Sequence, residues 1–278
     1  MPRRTSEITL AGGMKIFYAN RQEVEFLWDE MPGYFRHGIA IRAGDTVFDV
    51  GANIGLFSLY ASQASHHQAT IFAFEPIPST FEILRRNIER HRLHNIHTFP
   101  FGLSLKARTA SFAEYPNCTG WCTMYPDDSL AQRELMKRLA LANIEAAPPF
   151  LRWLGRLPTW LSSALLERTI NQAFISRPVA CELKSISQII REREIERIDL
   201  LKVDVERGEL DVLLGIDRQH WPRIRQVVME VHDLEGRIDT VVDLLQGQGF
   251  TQVVVEQQPF LRGYETHNLY ALRSPQSS

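Results

Sequence analysis

The sequence predicts an α/β fold, a mostly parallel seven-stranded sheet with one antiparallel strand, flanked by helices and carrying a helical insertion. Three observations predict it. Short apolar runs at 47–50, 69–74, 96–101, 198–203 and 224–231 alternate with segments of helical periodicity, the pattern of a sheet covered on both faces. The last two strand-like runs, 251–256 and 268–272, are joined by the loop 257–266 without a helix, so one of them must run antiparallel. Residues 114–180 break the rhythm at Pro116, Pro126, Pro148-Pro149 and Pro158 and hold Trp121, Trp153 and Trp160.

The elements follow in order. Residues 8–19 read as a hairpin turning at Gly12-Gly13, and 22–36 as a helix, so that 1–40 form a preamble. Gly44-Asp45 turns into the first core strand, where Val47, Phe48 and Val50 suit burial on both faces. That strand runs straight into Asp49-x-Gly51-x-Asn53-x-Gly55 and a helix over 56–65. Gly51 and Gly55 let the backbone approach a ligand, and the amides that follow lie at a helix N-terminus, which makes a nucleotide cradle. A dinucleotide fingerprint, G-x-G-x-x-G, is not met, because Asn53 stands where its middle glycine belongs. The next strand, 69–74, ends in Glu75-Pro76, 26 positions after Asp49. A carboxylate at that strand tip has two acceptor oxygens for the two hydroxyls of a ribose.

A helix over 80–91 carries Phe81, Ile83, Leu84 and Ile88 on one side. After the strand at 96–101, Gly102-Leu103-Ser104 is a place where backbone and Leu103 could meet an adenine ring. In the insertion, Trp153, Leu154, Leu157, Trp160, Leu161, Leu165 and Leu166 accompany Arg152, Arg156 and Arg168. This suits either a lid or partner platform, or a helical hairpin that completes the core. Past it, 198–206 reads as one strand with Lys202, Asp204 and Glu206 on one face. A helix at 209–214 leads to the strand that ends in His232-Asp233, which puts His232 on the same sheet edge as Asp49, Glu75 and Asp204. A helix over 237–248 precedes the terminal hairpin.

Composition bounds the function. With 278 residues, 44% hydrophobic and 23% charged, the chain can bury one core, and residues 1–278 read as a single domain. A formal net charge of −2 gives no field that favours nucleic acid or an anionic membrane. Three cysteines, Cys118, Cys122 and Cys181, are an odd number without zinc-type pairs and fit a reducing compartment. No apolar region follows Arg3-Arg4, and no run has the length of a membrane span. A cytoplasmic location is expected.

The segments Arg42 to Gly55, Phe74-Glu75-Pro76, Lys202-Val203-Asp204-Val205-Glu206 and Met229-Glu230-Val231-His232-Asp233 resemble the FkbM family of S-adenosylmethionine (AdoMet)-dependent methyltransferases, over about residues 8–273. The resemblance implies the Rossmann-like class I methyltransferase fold with AdoMet as cofactor. Asp49, Gly51, Ala52, Asn53, Gly55, Glu75, Pro76 and Leu103 would then surround AdoMet, and Asp204 would sit at its border with the substrate. It also implies methylation of a hydroxyl on a small natural-product intermediate, a polyketide or nonribosomal peptide, either free or tethered to a carrier protein. One departure is Arg207 before Gly208, where many members have Glu-Gly directly.

Such a transfer is an in-line displacement in which alignment carries most of the work, but an alcohol must still lose its proton. His232 is the expected general base, since its ordinary pKa is nearest neutral, with Glu206 or Asp204 replacing or orienting it. A magnesium ion held by Asp204, Glu230 and Asp233 is the second possibility. Methylation of nucleic-acid bases is disfavoured, because the nearest match to its Pro-Pro-aromatic element, Ala147-Pro148-Pro149-Phe150, lacks a polar first residue and lies in the insertion. A noncatalytic AdoMet-binding or carrier-docking scaffold, and N- or C-methylation on the same fold, remain the alternative functions.

Overall fold

The computed structural model describes residues 6–10, 12–147 and 149–274. Residues 1–5 of the preamble and Pro148 of the Pro-Pro tetrad lie outside the described residues. The preamble is the hairpin β1 (Ser6–Thr9) and β2 (Lys15–Tyr18), then α1 (Arg21–Glu30). The helix expected to reach residue 36 stops at Glu30. There Pro32, which has no N–H to donate, turns the chain into a 3₁₀ segment, Met31–Phe35.

The core alternates strand and helix: β3 (Thr46–Val50), α2 (Leu56–Ala64), β4 (Thr70–Phe74), α3 (Pro78–Arg90) and β5 (Ile96–Phe99). A second, three-stranded sheet follows from β6 (Gly102–Leu103), β7 (Arg108–Glu114) and, beyond the insertion, β8 (Arg177–Lys184), in the order β6-β8-β7. Between β7 and β8 lie α4 (Leu130–Ala142), α5 (Pro149–Arg152) and α6 (Thr159–Ala173). The insertion at 114–180 is therefore helical as expected but hangs from an antiparallel strand pair, Arg108 opposite Leu183 through Glu114 opposite Arg177. The chain then runs through α7 (Ile186–Glu192), β9 (Leu200–Val203), α8 (Glu209–Leu214), β10 (Gln226–His232), α9 (Arg237–Gly247), β11 (Gln252–Glu256) and β12 (Thr266–Leu272).

The main sheet has the order β11-β12-β10-β9-β3-β4-β5. β3 pairs in parallel with β4 and β9, whereas β12 runs antiparallel to both β10 and β11. That is the seven-stranded, mostly parallel class I methyltransferase sheet. The two-residue period of β3 sends Phe48 and Val50 to one apolar layer, with Ile186, Val212 and Val241 of α7, α8 and α9. Val47 goes to the opposite layer, with Leu59 of α2 and Ile83 and Leu84 of α3. Both faces are covered, so only the strand tips and the loops after them are left to build a site. Among the described residues no helix is long and apolar enough to cross a membrane.

Candidate active site

The loop after β3 is shaped by backbone constraints. Gly51 has φ 79°, and a Cβ there would lie 1.8 Å from the carbonyl oxygen of Asp204, so the β3 and β9 tips meet too closely for any side chain. The Gly51 and Ala52 N–H groups donate to the Phe74 carbonyl at 3.1 and 2.9 Å, which ties the loop to the tip of β4. Asn53 is left-handed at φ 47°, and its N–H donates to Glu75 Oε2 at 3.0 Å. Glu75 Oε1 accepts from the Ile77 N–H at 2.9 Å, so one carboxyl group fastens both loops. Gly55, at φ 93°, then starts α2, with Leu84 packed against it.

Beneath the loop, Asp49 and Lys202 are buried together, Nζ lying 3.2 Å from Oδ1. The ammonium also donates to the Gly51 carbonyl at 2.9 Å and stands 3.4 Å from Asp204 Oδ2. Ser58 donates to Asp49 Oδ2 at 2.6 Å. Burial alone would lower the Lys202 pKa, but the Asp49 and Asp204 carboxylates more than offset it and hold it raised. Glu75 is pushed up to about 7 by burial, against the opposing pull of the Ile77 and Asn53 amides.

β9 ends at Val203, so the expected shared face of Lys202, Asp204 and Glu206 does not extend to Glu206. The chain turns there through two consecutive left-handed residues, Glu206 at φ 48° and Arg207 at φ 72°, where the sequence departs from the family it resembles. The turn is held by Thr123, whose hydroxyl donates to the Glu206 carbonyl at 2.5 Å, and by Arg207, whose guanidinium donates to Glu265 Oε1 at 3.0 Å. It aims Glu206 at the tip of β10, where Oε2 lies 3.2 Å from His232 Nε2.

His232 is enclosed by carboxylates, with Nδ1 2.7 Å from Glu209 Oε1. Glu209 is itself fixed by the Arg207 N–H at 2.7 Å and by Arg237 at 3.2 Å. Burial would lower the His232 pKa, but its hydrogen bonds with Glu206 and Glu209 hold it well above the usual imidazole range. Both ring nitrogens are therefore engaged by carboxylates, so His232 is not placed as an unpartnered base. Burial raises Glu206, while Glu230 is held well above the ordinary range by burial and by repulsion from Asp204 and Glu206.

The other expected residues fall into place unequally. Asp204 joins the cradle to the acidic cluster, accepting from the Tyr34 hydroxyl at 3.1 Å. Ala52 is buried in the apolar layer of α2, and Pro76 packs close to Gly102. Leu103 is buried in the main core with Phe99 and Ile186. The donor set Asp204, Glu230 and Asp233 does not converge, because Asp233 Oδ1 accepts from the Ile238 N–H at 3.2 Å in the first turn of α9. Among the described residues, the donor atoms that do converge, within 4.8 Å of one another, belong to Glu206, Glu230 and His232.

Four contributors escape the sequence reading. Tyr34 and Glu30 reach the cluster from the preamble, burial pushing the Glu30 carboxyl up to about 7 despite a hydrogen bond with Gln258. Glu209 anchors His232, and Thr119 of the insertion touches the side chain of Asn53. Only Glu209 had a local signal, an acid in the first turn of the helix after the polar strand tip.

The arrangement joins a glycine cradle to an acid–imidazole cluster along one sheet edge, and comparison with known proteins gives it a family. The chain matches the model of the methyltransferase FkbM domain over residues 49–252. It is 38% identical over 270 residues to the 31-O-demethyl-FK506 methyltransferase FkbM of Streptomyces tacrolimicus, a match covering 96% of each chain. It is 34% identical over 278 residues to the AMB antimetabolite synthetase AmbE of Pseudomonas aeruginosa, covering 96% of this chain and 12% of that protein. Its fold is similar, with a TM-score of 0.52 and 14% identity, to the crystal structure of methyltransferase FkbM from Methylobacillus flagellatus KT, over 87% of this chain and 47% of that one. The chain belongs to the FkbM family of methyltransferases.

Proposed function

We propose that the protein transfers a methyl group from AdoMet to a hydroxyl of a small natural-product intermediate, working in the cytoplasm. One observation carries the reading. Asp204 belongs to both halves of the site, its carbonyl closing on Gly51 and its carboxylate facing Tyr34 and Lys202 beside Glu206 and Glu230. A cofactor in the cradle and an acceptor on the cluster would therefore be neighbours. The residues of the cradle fit the group: Glu75 keeps spare lone pairs for ribose hydroxyls, and Gly51 and Asn53 shape the backbone around it.

When bound, AdoMet supplies a methyl on a positively charged sulfur, for which an aligned nucleophile suffices. Asp49 and Lys202 hold the loop from below by the Gly51 carbonyl. Glu206 accepts the acceptor's hydroxyl proton, while His232, fixed by Glu209 and Arg237, orients that carboxylate and keeps it ionised. The printed name of the Streptomyces relative, a 31-O-demethyl-FK506 methyltransferase, supports an oxygen acceptor. The match to one segment of a synthetase supports an acceptor tethered to a carrier protein as one form of the substrate.

The test is calorimetric titration of wild type and Glu75→Ala with S-adenosylhomocysteine, with NAD in parallel, followed by mass analysis of hydroxylated intermediates incubated with AdoMet. Wild type should bind the adenosyl ligand and not NAD, Glu75→Ala should lose it, and the product should carry one methyl on oxygen. Failure of wild type to bind, or a methyl on nitrogen or carbon, overturns the reading.

A further inference from the structure

Three distant parts of the chain meet at Asn53. Glu23, on α1, accepts through Oε1 from the Thr119 hydroxyl at 3.0 Å and from the Gly120 N–H at 2.7 Å. The same Thr119 oxygen lies 3.1 Å from Asn53 Oδ1, so its one hydroxyl proton is shared between the Glu23 carboxylate and the Asn53 amide oxygen, which accepts from the Ile54 N–H at 2.7 Å. Thr119 is 7% exposed. Its short 3₁₀ turn, Thr119–Trp121, is anchored to the insertion, with the Trp121 ring 5.4 Å from that of Phe174 and Asn117 donating to the Gln172 carbonyl at 2.9 Å. A second tie runs from the Asn20 side chain to the Asn117 carbonyl at 2.8 Å. Preamble and insertion are thus joined to each other at the cradle.

Asn53 is held from two sides. Its φ of 47° is left-handed, a region that asparagine tolerates better than other side-chain residues but that its neighbours still help to fix. Glu75 fixes its N–H, and Thr119 meets its side chain. We propose that Glu23 and Thr119 form a clasp that positions Asn53 and closes the preamble and the insertion over the cofactor loop, so that AdoMet is retained while the clasp is made. The inference rests on the reading of the cradle as an AdoMet site. Both are positioning residues, acting through Asn53, and His232 and Glu209 lie on other elements, β10 and α8. Losing the clasp should therefore weaken cofactor retention and leave the catalytic groups in place.

The experiment compares S-adenosylhomocysteine dissociation by stopped flow from wild type, Thr119→Ser, Thr119→Val, Glu23→Ala and the double variant Glu23→Ala/Thr119→Val. Valine keeps the shape of threonine without its hydroxyl, and Glu23 is a half-buried helical position, so the two variants test the clasp from independent sides. Thr119→Val and Glu23→Ala should each release the ligand roughly tenfold faster, as expected for a lost hydrogen bond to a charged group, with Thr119→Ser close to wild type. The KM for AdoMet should rise by a similar factor while kcat changes little, and the double variant should release no faster than either single one. Unchanged release in both single variants, additive effects, or a fall in kcat alone overturns the clasp. Absence of binding by wild type overturns the AdoMet reading and the clasp with it, an outcome told apart from failure of the clasp alone because wild type binds in the latter.

Discussion

Lys202 Nζ and Asp49 Oδ1 lie 3.2 Å apart, with side chains 3% and 0% exposed, directly under the loop that the same ammonium holds by the Gly51 carbonyl. The pair is structural support for the cradle, and neither charge is tolerable alone in that place. Lys202→Met should leave Asp49 buried without its counter-charge and cost about 3–5 kcal/mol, whereas adding Asp49→Asn should recover part of the loss. Urea unfolding of the two variants measures this. A Lys202→Met protein as stable as wild type would show that the pair contributes no net support.

Gly51 and Gly55 are both left-handed, but a side chain at each would meet different neighbours. At Gly51 it meets the Asp204 main chain at 1.8 Å, and at Gly55 the flexible end of Leu84 at 2.6 Å. Gly51→Ala must push the tips of β3 and β9 apart and carry Asp204 away from Tyr34 and Lys202. Its affinity for S-adenosylhomocysteine should fall by roughly a hundredfold or more, the scale of an ångström-sized misplacement, and further than that of Gly55→Ala. Titration of both variants checks the order, and the reverse order would sink the argument.

Glu75 gives ligand-free stability and cofactor binding opposite dependences on pH. Its carboxyl is pushed up to about 7, burial being the main cause, whereas an unfolded glutamate titrates near 4.3. Between those values the folded chain holds a proton that the unfolded chain has released, so this group's contribution to stability falls as pH rises from about 4.5 to about 7. Over the same window the carboxylate that can accept ribose hydroxyls is appearing, so binding of S-adenosylhomocysteine should tighten. Thermal unfolding from pH 5 to 8, with and without ligand, should show both trends in wild type and a flatter response in Glu75→Ala. Binding that weakens as pH rises would remove Glu75 from ribose recognition.

Much of this site was legible because its geometry is local. A strand that passes through Gly51 and Gly55 into a helix, with Glu75 at the next tip, is specified within a few residues of each position, and the structure keeps it. What required the fold was of two kinds. Glu206 was placed by strand period, but β9 stops at Val203 and two left-handed residues redirect the chain, a turn that the sequence Glu206-Arg207-Gly208 does not advertise because neither strained residue is a glycine. Glu23, Tyr34 and Thr119 make their contacts over sequence distances of 66 to 170 positions, where periodicity carries no information about what meets what. The strand pair β7 and β8 was hidden by weak alternation, since few of its side chains, among them Phe112, Cys181 and Leu183, enter a core.

The state of His232 decides how the acceptor loses its proton. The ring stands between Glu209 at 2.7 Å and Glu206 at 3.2 Å, whose hydrogen bonds hold its pKa well above the usual imidazole range; on the proposed reading Glu206 is the proton acceptor and His232 its positioning partner. His232→Ala and Glu206→Gln should each lower kcat by about two orders of magnitude, the scale of one general base, and the double variant should be little worse than either. The affinity for S-adenosylhomocysteine should stay near wild type in all three. The pH–rate profile separates this from a histidine base. In wild type kcat should rise with pH as Glu206, already raised by burial, ionises. Removing the neighbouring cation disfavours the carboxylate further, so in His232→Ala the same rise should persist and move to higher pH. Were the imidazole itself the base, its removal would abolish that limb of the profile instead of displacing it. A residual His232→Ala rate that is flat with pH would return the proton to His232.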